Sequence, residues 1–536
     1  MHILFTGVGR RIELLQAFRN AALVLNKELK IYGADMAGTA PALAYCDYTR
    51  KVVAMKDPGY IDNLLTICKE DHIDLLIPTI DTDLTVLSEN REQFDVIGTK
   101  VMISSPDMIR ICRDKNLTSQ FFINCGLHAP MPVNNWKEYK AGFPAFIKPK
   151  DGSSSINAFK VENEEELEVY ANQIEEYIIQ PFVSGREYTI DIFCDWDGNP
   201  ISIVPRERLQ VRAGEVLKTR IAIDSQMIEE AKLLCQAFKP CGPMTVQLIR
   251  DEQGIDWYIE INPRFGGGAP LSMKAGARSA ETILKLLDKE PVEYTEKVAN
   301  GAIYSRFDQS VCIQEGKGQI KGVIFDLDDT LYSEKEYVKS GYKAVSDYLG
   351  GGYEDKLWCY FETGKPAIDE LLKELGRATE KETALDIYRK HQPNIHLYKG
   401  VREMIEELRQ RGKKVGIITD GRPEGQRNKI KALGLEDLVD DIIITDELGG
   451  TQFRKPCDIA FRILTTRWRL NPAEMIYIGD NSTKDWQAPR QIGIRFLWFN
   501  NPDSLYSDNR QDRNTQTIYD IKDFLNALGE ISSNDK

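Results

Sequence analysis

Asp326 and Asp328 stand two residues apart in FDLDDT, directly after the apolar run GVIF. At the end of a β-strand, both carboxylates can address one phosphate and one metal ion. Asp326 is suited to attack a phosphoryl group and carry it as an aspartyl-phosphate. Asp328 is suited to protonate the leaving oxygen and then activate water. Further polar stations follow in order: Thr419 ending VGIIT, Lys455-Pro456 after IIITDELGG, Gly479-Asp480 after MIYI, and Asp485 five residues on. Asp326, Asp328 and Asp480 would form an oxygen-rich magnesium site, with Asp485 supporting it from behind. Thr419 and Lys455 would bind the transferring phosphoryl oxygens and offset their charge. Paired aspartates alone are common in turns, so the weight rests on the ordered set.

A second ordered set precedes it. Asp114-Lys115 opens a helical stretch, and Lys148 ends the strand-like PAFIK ahead of Asp151-Gly152-Ser153-Ser154-Ser155. A small-residue loop of this kind can fold over phosphates through its N–H groups while lysines neutralise charge. QPFVSGRE reads as strand, turn and return strand, with Gln180, Phe182, Val183 and Glu187 as candidate nucleotide contacts; the backbone near Phe182 and Val183 can pair with an adenine edge. Gln247, then Glu260 and Asn262 in IEINPRFGGG, supply oxygens suited to magnesium on ATP phosphates. Alternation places Glu260, Asn262 and Arg264 on one face. Taken singly, Lys148 and Lys150 also read as solvated lysines and SSS as a linker. Arg206, Arg208 and Arg212 read either as contacts to a carboxylate substrate or as a charged, exposed strand.

These residues need strands to hold them. Over 1–112, ILFTGV, IYGAD, LLIPT and VMISS read as strands between helical segments near 11–25, 59–70 and 82–93, a parallel βαβ pattern. Strand-like YIIQPFV, EYTIDIFCD and WYIEIN follow, with helices at 163–175 and 225–238. A polar, Pro- and Gly-bearing stretch over 288–318 marks the main boundary near 312–318. From 320 the βα alternation returns, interrupted at 333–397 by a helical insert. Gly7-Val8-Gly9 with Asp35 suggests a dinucleotide turn, but Ile12 stands where a third glycine belongs. Asp81 and Asp83, after LLIPT, read as helix caps or as strand-end ligand contacts.

Motif by motif, 320–510 resembles the haloacid dehalogenase superfamily: DLDDT, Thr419, Lys455-Pro456 and GDNSTKD. The resemblance implies phosphate-ester chemistry and makes the insert a helical cap over the substrate. Residues 1–311 resemble the ATP-grasp superfamily, in particular the branch around the carbamoyl-phosphate synthase large chain. That resemblance implies metal binding by Gln247, Glu260 and Asn262, and an Arg264 that steadies the transferred phosphoryl group. The expected architecture is a multidomain α/β chain: a Rossmann-like pre-ATP-grasp domain (1–112), an ATP-grasp domain (113–311), and a doubly wound parallel sheet with a helical cap (319–536, cap 333–397). The implied activities are carboxylate–amine ligation through an acyl-phosphate and phosphatase chemistry, with ATP and magnesium (or manganese) as cofactors. The alternative is a grasp module that binds ATP for regulation or acts as a kinase, with an attached phosphatase.

The 536 residues carry a net charge of -13, 42% apolar and 28% charged residues. That balance suits a globular protein and argues against a nucleic-acid surface. The ten cysteines form no CxxC pair and histidine is scarce, which points to reduced thiols rather than a zinc or disulfide framework. With no signal-peptide core or long apolar run, the expectation is a cytoplasmic enzyme acting on small carboxylates, amines and phosphate esters. Homo-oligomerisation stays open.

Overall fold

The computed structural model describes residues 1–150, 157–212, 214–313, 319–481, 484–504 and 516–533. The chain divides into two compact units, Met1–Gln309 and Ser310–Lys536.

The N-terminal unit begins with a five-stranded parallel sheet. His2–Thr6 lies between Lys30–Asp35 and Leu75–Pro78, with Tyr48–Lys51 and Lys100–Val101 at the edges. Apolar side chains of the central strand point both ways, and both faces are covered: Ile3 and Phe5 join one buried cluster, Leu4 the other. That is why the strand reads as a continuous apolar run. Strand order reverses at His2–Thr6, so its carboxyl end opens a crevice against the residues after Leu75–Pro78. Two expectations change here. The strand is only Lys100–Val101, so of VMISS just Val101 belongs to it, and Ser105 at the end of VMISS accepts the Met108 N–H and caps the helix Pro106–Arg113. The helical stretch near 82–93 is two short helices, Leu84–Glu89 and Arg91–Val96, meeting at Asn90.

Beyond it lies a six-stranded antiparallel sheet, in the order Asp256–Asn262, Gly242–Arg250, Arg186–Cys194, Pro200–Arg212, Glu215–Ile221, Ile303–Ser305. A separate three-stranded sheet joins Phe159–Val161, Ala145–Pro149 and Tyr177–Pro181. Asp114 caps the helix Lys115–Asn124 by accepting the Asn116 and Leu117 N–H groups, which fixes where Lys115 leaves the backbone.

In the C-terminal unit, Gly322–Phe325 sits at the centre of a six-stranded parallel sheet, between Lys414–Thr419 and Met475–Gly479. Asp441–Ile444 extends one side; Arg495–Phe499 and Thr517–Ile518 extend the other. Every residue of Gly322–Phe325, Met475–Gly479 and Arg495–Phe499 is buried. The central strands all run the same way, so Asp326, Thr419 and Asp480 emerge at one edge. The insert after Asp326 is helical: Glu334–Leu349, Glu354–Glu362, Ala367–Glu374 and Lys381–Lys390 pack around their own core of Val345, Leu357, Leu371 and Ala384. No helix among the described residues is long and apolar enough to cross a membrane.

Candidate active sites

At the edge of the C-terminal sheet, the Asp326 N–H donates to the Ile478 carbonyl at 2.8 Å, extending the parallel ladder by one residue and locking its Cα. Carboxylate oxygens of Asp326, Asp480 and Asp485 all lie within 4.8 Å of one another, and all of these residues are buried. Burial, opposed by Lys455 and reinforced by Asp485, pushes the Asp326 carboxyl up to about 7. Burial, Asp485 and Asp326 push Asp480 well above the usual carboxylate range. Crowded acids with raised affinity for protons are a site that a divalent cation would relieve, and an all-oxygen donor set suits magnesium.

Lys455 is fully buried beside this cluster, with its ammonium 2.9 Å from Asp326 and 2.7 Å from Asp485. It also donates to the Tyr477 hydroxyl, which in turn donates to Asp485 at 3.1 Å. Lys484 faces Asp420 at 3.4 Å, and Asp420 accepts the Lys455 N–H and the Thr445 hydroxyl. Thr419 is buried at its strand end, where its hydroxyl accepts from Gln426. Lys455→Met is expected to destabilise the C-terminal unit by about 3–5 kcal/mol, because two buried carboxylates lose their counter-ion together. Urea unfolding with hydrogen exchange read at the strand Gly322–Phe325 checks it.

Asp328 departs from the expected ligand set. Its carboxylate accepts from Lys429 at 2.7 Å, from Gln426 at 2.8 Å and from the Tyr332 hydroxyl, and it stands outside the cluster of Asp326, Asp480 and Asp485. Burial alone would raise its pKa, yet Lys429, Tyr332 and Gln426 hold it below the ordinary value. Lys429, on the helix Pro423–Ala432, is the cation that this side chain meets. Asp485, expected behind the site, belongs to the cluster itself. Sequence reasoning passed over Gln426 and Lys429. Their spacing of three within the helix Pro423–Ala432 puts both on one face, but nothing in that helix says the face meets Asp328. Lys484 could have been found, since it lies inside GDNSTKD.

In the N-terminal unit a cavity of about 730 Å³ collects the second set. Gln247 and Glu260 are directly paired across antiparallel strands. The Asn262 amide donates to Glu260 at 3.0 Å, and Arg264 donates to the Asn262 oxygen at 3.3 Å. Arg264 also forms an ion pair with Asp81 at 2.5 Å. A carboxylate and two amide oxygens on one wall are a donor set that fits magnesium. Lys115 and Lys148 line the same cavity. Burial lowers the Lys148 ammonium to about 8, with Lys115 adding to the shift and Glu260 opposing it. Lys115 donates to the Lys150 carbonyl at 3.0 Å.

Phe182, Val183 and Glu187 line the same cavity. The Phe182 N–H is engaged by the Pro144 carbonyl at 3.1 Å, so it is not the donor to a base edge. Gln180 borders the cavity with its side chain buried and tied to the Pro130 carbonyl at 2.6 Å, which makes it a brace for the strand. Glu187 faces Arg208 at 3.4 Å. Ser153, Ser154 and Ser155 lie outside the described residues.

The arginine strand is not the exposed strand that was one of its two readings. Arg206 is 1% exposed and grips Asp191 with Nε at 2.7 Å and Nη2 at 3.2 Å, while Arg212 is exposed. A fully buried guanidinium of this kind needs its paired carboxylate. Asp83 does not cap with its side chain. It is buried and accepts the Thr6 and Tyr60 hydroxyls at 2.7 and 3.0 Å, because the loop folds under the central strand.

Residues 323–499 match the family described as haloacid dehalogenase-like hydrolase. Residues 3–102 match the PylC-like N-terminal domain, and 173–309 match the family described as ATP-grasp in the biosynthetic pathway with Ter operon. A glyceraldehyde 3-phosphate phosphatase of Methanocaldococcus jannaschii is 28% identical over 232 residues, covering 39% of this chain and 98% of that protein. A phosphoserine phosphatase of Thermus thermophilus is 30% identical over 130 residues, covering 24% of this chain and 51% of its own. Among solved structures, a biotin carboxylase of Campylobacter jejuni superposes with a TM-score of 0.46 at 18% identity, over 56% of this chain and 74% of that one.

Proposed function

Because the chain joins an ATP-grasp ligase-like domain to a haloacid dehalogenase-like phosphatase domain, we propose that it is a two-headed enzyme of small-molecule metabolism. The N-terminal unit ligates a carboxylate to an amine at the expense of ATP. The C-terminal unit hydrolyses a phosphate monoester. The observation that carries the first half is the convergence of Gln247, Glu260, Asn262, Arg264, Lys115 and Lys148 on one cavity. For the second it is the Asp326–Asp480–Asp485 cluster with buried Lys455.

In the phosphatase reading, Asp326 attacks the phosphorus and releases the alcohol, whose oxygen takes a proton passed through Asp328 from Lys429; Asp328 later takes one from water and returns it to Lys429. Lys455 and Thr419 hold the phosphoryl oxygens, and Lys429 and Gln426 aim Asp328. In the ligase reading, Lys115 and Lys148 neutralise ATP phosphates, and the backbone at Val183 meets the base. Arg264 leaves Asp81 to hold the phosphoryl group in flight. The acyl-phosphate so formed turns a poor leaving group into a good one for the amine. Magnesium, held by Gln247, Glu260 and Asn262 in one unit and by Asp326 and Asp480 in the other, would offset phosphate charge.

Chelation with EDTA is therefore expected to abolish both ADP release and phosphate-ester hydrolysis, and added magnesium to restore both. Retained hydrolysis after chelation would contradict the metal assignment at Asp480. The fusion supports consecutive steps on one metabolite: ligation of a phosphorylated acid or amine, then loss of its phosphate. The test is a coupled assay with purified intermediates. If neither unit consumes what the other makes, the sequence of steps fails while the separate activities stand.

A further inference from the structure

The arginines of the N-terminal cavity are not equivalent. Arg206 is committed to Asp191, Arg208 faces Glu187, and Arg264 is paired with Asp81. Arg11 lines the same cavity and forms no ion pair within 4.0 Å among the described residues. It comes from the first sheet of the unit, at the turn after His2–Thr6, where Gly7 and Gly9 adopt positive φ values of 60° and 42°. The Gly9 N–H donates to Asp35 at 3.0 Å, and the Arg11 N–H to the Val8 carbonyl at 2.8 Å, so the turn is pinned on both sides. Its guanidinium lies against the loop Gly266–Gly268: a Cβ on Gly267 would stand 2.9 Å from Arg11 Nη1, and one on Gly268 would stand 2.8 Å from Arg206 Nη2. A side chain at either position would meet a guanidinium, and at Gly268 the Val216 side chain as well.

We propose that Arg11 holds the carboxylate of the acid substrate, in the cavity it shares with Arg264, Lys115 and Lys148. This rests on the ligase reading above. A guanidinium carried on a pinned turn offers a planar fork to a carboxylate, and its neighbour Arg264 supplies a second cation at the point where the phosphoryl group arrives. Burial and the nearby Arg264 lower Arg11 to about 10 in spite of Glu215 and Asp81, which marks a cation short of counter-charge. The substrate class that follows is a small free acid whose carboxylate lies beyond the γ-phosphate of ATP.

The test compares the parent with Arg11→Met, Arg11→Lys and Gly267→Ala. ADP release is measured with magnesium-ATP against the proteinogenic L-amino acids, succinate, malate and citrate, singly and in pairs. For the acid that stimulates the parent most, Arg11→Met is expected to raise KM about ten-fold or more, with the KM for ATP within about two-fold; losing a charge-assisted hydrogen bond has that scale. Arg11→Lys should recover part of the loss. Gly267→Ala, which displaces the guanidinium without removing it, should shift the same KM. An unchanged KM for the acid in Arg11→Met, or a rise in the KM for ATP instead, overturns the role of Arg11 and leaves the ligase reading intact. A parent that none of these acids stimulates removes the ligase reading, and the inference with it.

Discussion

Asp326→Asn is expected to lower hydrolysis of a simple monoester such as p-nitrophenyl phosphate by on the order of 10³-fold or more, while ATP-dependent ADP release keeps the parent rate. The amide is isosteric, and its oxygen can still accept from Lys455, which sits 2.9 Å away in the parent. Folding should therefore survive. Removing one negative charge from beside Asp480, whose carboxyl burial, Asp485 and Asp326 push well above the usual range, eases the repulsion there. What disappears is the nucleophile, and no neighbouring group replaces it, since Asp328 is turned toward Lys429. The parent should also form a covalent phosphoryl adduct on Asp326 that mass spectrometry can place; the variant should not. Residual hydrolysis near the parent rate would refute the assignment.

Much of this site was legible in the sequence because its parts end apolar runs. A buried parallel strand must be apolar throughout, so the first polar residue after GVIF, VGII or MIYI marks the carboxyl edge of the sheet. Asp326, Thr419 and Asp480 fall there. Lys455 was legible through the Lys-Pro pair in the loop after Asp441–Ile444. Asp328 was half-legible: its position could be read, but its partners could not. Two of them, Gln426 and Lys429, come from a helix about a hundred residues on, and Lys429 is a lysine that amphipathic spacing would assign to solvent. In the N-terminal unit, Glu260 and Asn262 were legible from alternation in WYIEIN. The hairpin Pro200–Arg212 with Glu215–Ile221 was not, since an arginine-rich strand looks exposed until Asp191 is placed beneath Arg206 by a different strand. Arg11 stayed hidden for the same reason: only the tertiary fold brings the first βα turn against Gly267.

Glu260→Ala should abolish ADP release, by on the order of 10³-fold or more, with monoester hydrolysis at the parent rate. Gln247, Glu260 and Asn262 would offer a cation one charge and two dipoles, and the charge belongs to Glu260. The loss is compounded twice over. Asn262 donates its amide to Glu260 and would lose one of the two partners, Arg264 being the other, that hold its side chain. Lys148, already lowered to about 8 by burial, is held that high in part by the charge of Glu260. Without that charge its ammonium falls further, so at neutral pH the cation that should meet the ATP phosphates is depleted along with the metal site. Glu260→Gln separates these effects: it preserves an oxygen for Asn262 while removing the charge, and should fall nearly as far as the alanine variant. Titrating the variants with magnesium-ADP by calorimetry gives a readout that turnover does not supply. Both variants should bind magnesium-ADP more weakly than the parent, and the deficit should shrink when magnesium is left out. A deficit of equal size without magnesium would mean that Glu260 acts on the lysines or the fold and not through a cation.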